Sequence, residues 1–332
     1  MTRHLPFGII GTGAYLPAHT LTNDEVAVHF GKPGQWVHDR TGIAGRRVAA
    51  PGETVTQMAA AAAEKALAAA GVPADRVALI LATSSTPGQF APGIACGVQG
   101  VLGAVRATAM DVNAACAGFS TAAHTALAFL SGDLTRGPVL VVAAERYSTH
   151  LDYTDRRTAA LFGDGAGAVV MDAVPSSYGF LHSAIGSDGS KADYVRIVLH
   201  EGRSRDPYTV VMDGRSTRAF IEERLPRTLD EALAATGLSL GDIDLIVPHQ
   251  ANVHLVRRVL TEAGAAAGQI FMTGQDYGNT GAASVPITLD AAHAAGRLHD
   301  GACVLLTSIG AGMTWGTAIL RWQGAAQASS AG

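Results

Sequence analysis

Short apolar runs rich in Val, Ile and Leu alternate with longer helix-period segments along the whole chain. VALILATSS from Val77 and IDLIVPHQAN from Ile243 are runs of this kind that end in polar loops, and the Ala-rich segment after Cys116 keeps helical spacing up to Gly132. Runs of 4–8 apolar residues alternating with helical patterns predict parallel or mixed sheet covered by helices. The pattern also repeats. Ile80 matches Ile246, an offset of 246 − 80 = 166, and GDLTRGPVLVV from Gly132 matches GRLHDGACVLL from Gly296, an offset of 296 − 132 = 164. Two element pairs at nearly one offset predict duplicated halves meeting near residue 175, so residues 1–175 and 176–324 are read as two units and 325–332 as a small-residue tail. At 164 the step carries Cys116 to Thr280, beside Asn279, which places the two loops face to face.

Composition narrows the class. The 332 residues are 48% hydrophobic and 16% charged, and the formal net charge is −4, which gives no basic field for nucleic acid or an anionic membrane. The first residues, MTRHLPFGIIGTGAYLP, are interrupted by proline and glycine and are too short for a signal core or a span. Three cysteines without paired spacing argue against a disulfide framework and point to a reducing, cytoplasmic setting. No Cys/His spacing suggests zinc and no carboxylate cluster suggests magnesium, so metal-free chemistry without a resident cofactor is expected.

Several residues invite chemistry. Cys116 in DVNAACAGFS stands where an extended run meets a helix; it is either a small core hydrophobe or a thiol whose thiolate the helix start favours. Cys96 and Cys303 lie in apolar runs and read as core. His249 follows Pro248 at the end of a predicted strand, where α/β folds gather their sites, and Asn279 sits in a Gly-Asn-Thr-Gly turn that turn chemistry alone also explains. GTGAYLP from Gly11 begins like a dinucleotide fingerprint, but Leu16 replaces the third glycine and Pro17 follows, so nucleotide binding is rejected. FGDGAGAVV from Phe162 lacks the Lys-Ser/Thr of a phosphate loop and reads as a tight turn feeding a strand. GAGMTWG from Gly310 is either a packed turn or a place where backbone N–H groups approach a substrate oxygen.

Taken together and in order, RTGI at Arg40–Ile43, AACAGF around Cys116, FGDGAGA, VPHQAN, GNTGAAS and GAGMTWG resemble the β-ketoacyl-acyl carrier protein synthase III family of condensing enzymes. The resemblance covers nearly the whole chain. It implies a thiolase-like α/β fold of five αβαβα layers in two pseudo-twofold halves, a homodimer, and acyl-CoA and acyl carrier protein as partners. It also implies a decarboxylative condensation: an acyl group passes from CoA to Cys116 and is extended by a malonyl-type unit, with His249 and Asn279 donating to the developing enolate. Backbone N–H groups of Cys116 and Ala311 are the implied oxyanion hole, Trp36, Arg40, Arg156 and Asn252 the implied CoA site, and Phe90 the implied residue that closes the neighbouring acyl pocket. Arg218 stands at the implied tunnel mouth, while His254, with Arg257 and Arg258 one turn on, occupies the carrier-docking region. Ala311 stands where relatives commonly have glycine. Because a neutral His249 is required, activity is expected to fall as pH drops toward about 6.5. The alternatives are acyl transfer to an alcohol or amine without decarboxylation, and a non-catalytic partner subunit of the chain-length-factor kind, against which the presence of Cys116 speaks.

Overall fold

The computed structural model describes residues 5–199 and 208–324; the expected tail at 325–332 lies outside the described residues. In chain order the elements that place the site are β1 (Phe7–Tyr15), α1 (Val55–Ala70), β2 (Leu79–Thr83), α2 (Ile94–Leu102), β3 (Thr108–Asp111), α3 (Gly118–Ser131), β4 (Val139–Arg146) and β5 (Asp164–Ala173). They continue with β6 (Gly179–Ser187), α4 (Gly214–Thr236), β7 (Leu245–Pro248), α5 (Val253–Glu262), α6 (Ser284–Ala294), β8 (Cys303–Gly310) and β9 (Thr314–Arg321).

One sheet runs β1-β5-β4-β2-β3 and the other β6-β9-β8-β7. In the first sheet β3, β2 and β4 run parallel and β5 and β1 follow antiparallel; in the second β7 and β8 run parallel and β9 and β6 follow antiparallel. A single parallel bridge from Ile246 to Ile270 stands in the second sheet where β3 stands in the first. Strands β2 and β8 are buried along their full length, as expected for strands covered on both faces.

Three apolar clusters stack the layers. Residues of α1 and α2 pack on the outer face of the first sheet, α3 and α6 lie between the two sheets, and α4 and α5 cover the outer face of the second. The order is α, β, α, β, α.

Small residues set the spacing. A Cβ at Gly11 or Gly13 of β1 would land on the carbonyl oxygens of Ala66 or Ala62, so these glycines let the Ala-rich α1 seat its backbone on the strand. That is the structural role of GTG. Gly165 and Gly167 of FGDGAGA lie within β5, with Gly163 just before it, and Gly167 makes room for the backbone of α6 at Pro286 and Ile287. Helix α1 is bounded by its sequence: Thr54 and Gln57 form a capping box, and Gly71 ends the helix at φ 63°. On α2, Ile94, Ala95 and Val98 face the core while Cys96 is exposed, because helical spacing turns it to the opposite face. The expectation that Cys96 is core is therefore corrected; Cys303 is buried.

Candidate active site

The floor of the site is built from two copies of one turn. Asn113 accepts the backbone N–H of Ala115 at 3.0 Å, and Asn279 accepts that of Gly281 at 2.9 Å. A short 3-10 turn follows each, at Ala115–Ala117 and Gly281–Ala283, and each turn leads into a helix of the middle layer. Ala115 and Gly281 share the left-handed conformation, at φ 48° and 53°. The step between the copies is 279 − 113 = 166, so Cys116 corresponds to Ala282 rather than to Thr280, the position reached with 164.

Cys116 is held against the end of β8. A Cβ at Gly310 would crowd the backbone nitrogens of Ala117 and Cys116, and Thr314 Oγ1 donates to the carbonyls of Ala114 (2.8 Å) and Ala311 (3.0 Å). Burial, followed by the nearby Glu145 carboxylate, pushes the Cys116 thiol up to about 12, although the Tyr147 hydroxyl at 4.0 Å and the backbone N–H groups of Cys116 and Ala311 pull the other way. A helix start alone does not make this cysteine a resting thiolate.

His249 leaves the end of β7, with its backbone N–H on the Thr307 carbonyl at 2.7 Å. It is 4% exposed, and burial lowers its pKa to about 4, against a smaller upward pull from the Gly281 carbonyl. Its Nδ1 lies 2.7 Å from Ser284 Oγ. Asn279 is fixed through its backbone: its N–H bonds the Leu161 carbonyl at 2.8 Å and its carbonyl takes the Gly163 N–H at 3.0 Å. The FGDGAGA segment thus pins the asparagine. With Oδ1 occupied by Gly281, the Nδ2 group is left to donate.

Cys116, His249, Asn279 and Ala311 line one narrow throat of about 50 Å³. Below it, Cys116 also lines a cavity of about 450 Å³ that includes Phe90, Tyr147, Phe162 and Val210. Above it, sharing Leu161 and Met212, lies a mouth of about 300 Å³ with Arg218, His254 and Arg258, then an open cleft of about 560 Å³ containing Trp36, Arg40, Arg156 and Asn252. A passage therefore runs from the cleft to the thiol and on into the cavity.

The outer residues are not all free to act. The guanidinium groups of Arg40 and Arg156 lie 5.6 Å and 5.8 Å from the Trp36 ring. Asn252 caps α5 by accepting the Leu255 N–H at 2.9 Å and donates to the Arg40 carbonyl at 3.0 Å. Arg218 pairs with Glu222 at 2.9 Å, and Arg258 pairs with both Glu222 and Glu262. His254 is exposed, its ring 6.0 Å from that of His38, whereas Arg257 is not among the described residues lining the mouth. Phe90 is 83% exposed at the rim of the lower cavity.

Regions of the chain match two family models, 3-oxoacyl-[acyl-carrier-protein] synthase III over residues 110–189 and the C-terminal region of the same synthase over 233–322. A β-ketoacyl-[acyl-carrier-protein] synthase III of Acidiphilium cryptum is 40% identical over 94% of this chain and 98% of its own. The chain belongs to the β-ketoacyl-acyl carrier protein synthase III family. As a synthase III it is a condensing enzyme of the acyltransferase class with the thiolase fold. The synthase III of Aquifex aeolicus superposes with a TM-score of 0.89 at 35% identity, covering 95% of this chain and 100% of that one. The priming β-ketosynthase of the R1128 polyketide pathway gives 0.90 at 32%, covering 97% and 98%.

Three buried groups in this synthase III escaped the sequence reading. Glu145 is fully buried at the end of β4, where it accepts from Thr86 Oγ1 (2.7 Å), Ser84 Oγ (3.3 Å) and the Ser85 N–H (3.1 Å), and burial raises its pKa to about 7. An acidic residue closing an otherwise apolar strand was the available signal. Tyr147 and Ser284 gave none, since each reads as an ordinary helix or loop residue until the fold brings it to Cys116 or His249.

Proposed function

We propose that the throat carries out a decarboxylative Claisen condensation of an acyl-CoA starter with a malonyl unit on acyl carrier protein, at the initiation of fatty acid or polyketide chains. The observation that carries this reading is the convergence of Cys116, His249 and Asn279 with the backbone N–H groups of Cys116 and Ala311. In the first half-reaction Cys116 attacks the thioester carbonyl, the carbon–sulfur bond to CoA breaks, and the thiol proton leaves with CoA. The Cys116 and Ala311 N–H groups hold the tetrahedral oxyanion, each such donor contributing roughly 3–4 kcal/mol in comparable sites.

In the second half-reaction CO₂ departs from the malonyl group and its bonding electrons move onto the thioester oxygen as an enolate. His249 and Asn279 donate to that oxygen. The enolate carbon then attacks the acyl group on Cys116, and the thiolate leaves. The 450 Å³ cavity receives the starter chain, and the cleft at Trp36 receives the CoA head, with Arg156 swinging off the indole to admit a purine. A second copy of the chain belongs to this reading: β3 is an edge strand, and Phe90, Val101 and Val105 just before it in sequence are exposed apolar side chains.

Release of labelled CO₂ from malonyl-carrier, measured beside intact-mass acylation of Cys116, tests the reaction. Acylation with no CO₂ release from any malonyl donor, together with transfer to an alcohol or amine, overturns it.

A further inference from the structure

Tyr147 follows β4 at the start of a 3-10 turn and is 3% exposed. Its ring lies against that of Phe162, with centroids 4.4 Å apart, and its hydroxyl reaches the Cys116 sulfur at 4.0 Å. To get there the ring crosses Gly281, where a Cβ would come within 2.6 Å of the ring and 2.8 Å of the hydroxyl oxygen. Backbone conformation does not account for that glycine, because its counterpart Ala115 adopts the same left-handed geometry with a side chain. The first copy of the turn keeps a Cβ, and the second gives it up where the tyrosine passes.

A buried hydroxyl needs a partner, and among the described residues the Cys116 sulfur is the hydrogen-bond partner of the Tyr147 hydroxyl. While Cys116 is a thiol, either atom can donate. A thiolate has no proton, so only Tyr147 can donate to it, and the contact favours the ionised sulfur. Burial, followed by the charges of Cys116 and Glu145, holds the phenol well above its ordinary range, so it keeps its proton when the thiol loses one. Ser85 pulls the phenol the other way, as a donor toward its oxygen does, and so leaves the Tyr147 proton for the sulfur.

We propose that Tyr147 is a further catalytic residue, whose hydroxyl donates a hydrogen bond to the Cys116 sulfur as that atom becomes a thiolate. This rests on the two half-reactions assigned above. In acylation the sulfur gives up its proton as it attacks. In condensation the bond from the acyl carbon to sulfur breaks and its electron pair returns to the sulfur. The Tyr147 proton stays on its own oxygen throughout.

The test uses the full-length chain carrying Cys96→Ser, so that iodoacetamide reads Cys116, with the adduct located by peptide mapping. Tyr147→Phe removes one hydroxyl and keeps the ring. A donor to an anion is worth about tenfold or more in thiolate fraction, and the greater basicity of the remaining thiolate returns about half of that on a logarithmic scale. Alkylation at pH 7 should therefore slow roughly threefold to tenfold, and acylation by hexanoyl-CoA should slow with it. A ring that only fills space predicts the reverse, since phenylalanine is smaller and opens access to both reagents. Alkylation slowed by less than about threefold, or accelerated, overturns the proposal. Where Tyr147→Phe does not fold, 3-fluorotyrosine at position 147 decides: its more acidic hydroxyl, in the same packing, should speed alkylation about twofold, and an unchanged or lower rate overturns the proposal. Alkylation needs neither CoA nor a malonyl donor. The expected dependence on Tyr147 together with no release of labelled CO₂ from malonyl-carrier would count against the condensation alone.

Discussion

Asn113 and Asn279 make the same bond in two copies of one turn, each accepting the backbone N–H two residues on, at 3.0 Å and 2.9 Å, yet only Asn279 shares the throat with His249. Their alanine variants should therefore cost similar stability, about 1 kcal/mol for one turn hydrogen bond, and differ in chemistry. Asn279→Ala should retain most Cys116 acylation and lose roughly 10²–10³ in decarboxylation, whereas Asn113→Ala should keep decarboxylation within about tenfold. Thermal unfolding, with labelled CO₂ release on the same preparations, checks both halves of the statement.

The acid limb of decarboxylation should lie well below the ordinary histidine range. His249 is held near 4 by burial, so it remains a neutral donor at pH 6.5 and becomes charged only as pH approaches 4. This corrects the expectation from sequence, which used the pKa of an exposed ring. CO₂ release from pre-acylated enzyme, followed between pH 4 and 8, should show no loss centred on 6.5.

Glu145 should instead govern the acylation half-reaction near neutral pH. Its carboxyl titrates near 7, and its negative form raises the Cys116 thiol, so ionising it above pH 7 works against thiolate formation. Glu145→Gln removes that charge. Alkylation and acylation of Cys116 should then move to lower pH, and any step near pH 7 in the wild-type rate profile should disappear. Rate against pH for both proteins is the measurement.

The thiols should separate by reagent. Cys96 is exposed, Cys303 is buried, and the Cys116 thiol is raised to about 12. A small alkylating agent at neutral pH should therefore modify Cys96 first, while acyl-CoA, on the proposed route along the passage, should acylate Cys116 alone. Peptide mapping after each treatment distinguishes the two patterns.

Gly13→Ala should be destabilising without touching the site. Its Cβ would strike the Ala62 carbonyl and the Ala66 nitrogen, which are helix backbone and cannot rotate away. Overpacking of this kind costs about 1–3 kcal/mol, so the melting temperature should drop while Cys116 acylation at low temperature is kept.

Patterning disclosed the alternation of strands and helices and the internal repeat, because β2, β4, β7 and β8 are apolar runs of strand length bounded by polar loops. Cys116, His249 and Asn279 were singled out by their places at strand ends and helix starts, but position left core and turn readings open and their roles came from the resemblance. Glu145, Tyr147 and Ser284 were not, since their roles depend on contacts across 31 to 61 residues of chain that no local period encodes. Cys96 was misread for the opposite reason: an apolar run was taken as buried when helical spacing turns one residue outward. The charge of Arg218 was visible, but its pairing with Glu222 depends on helix geometry at i and i+4.

The shared backbone of the two turns has an evolutionary consequence. Thr83, Asn113 and Gly118 occupy the stations that His249, Asn279 and Ser284 occupy in the other copy, so the fold contains a second set of attachment points in the same backbone geometry. New activities in this scaffold are therefore most accessible by exchanging side chains at those stations, without remodelling a loop or inserting a residue.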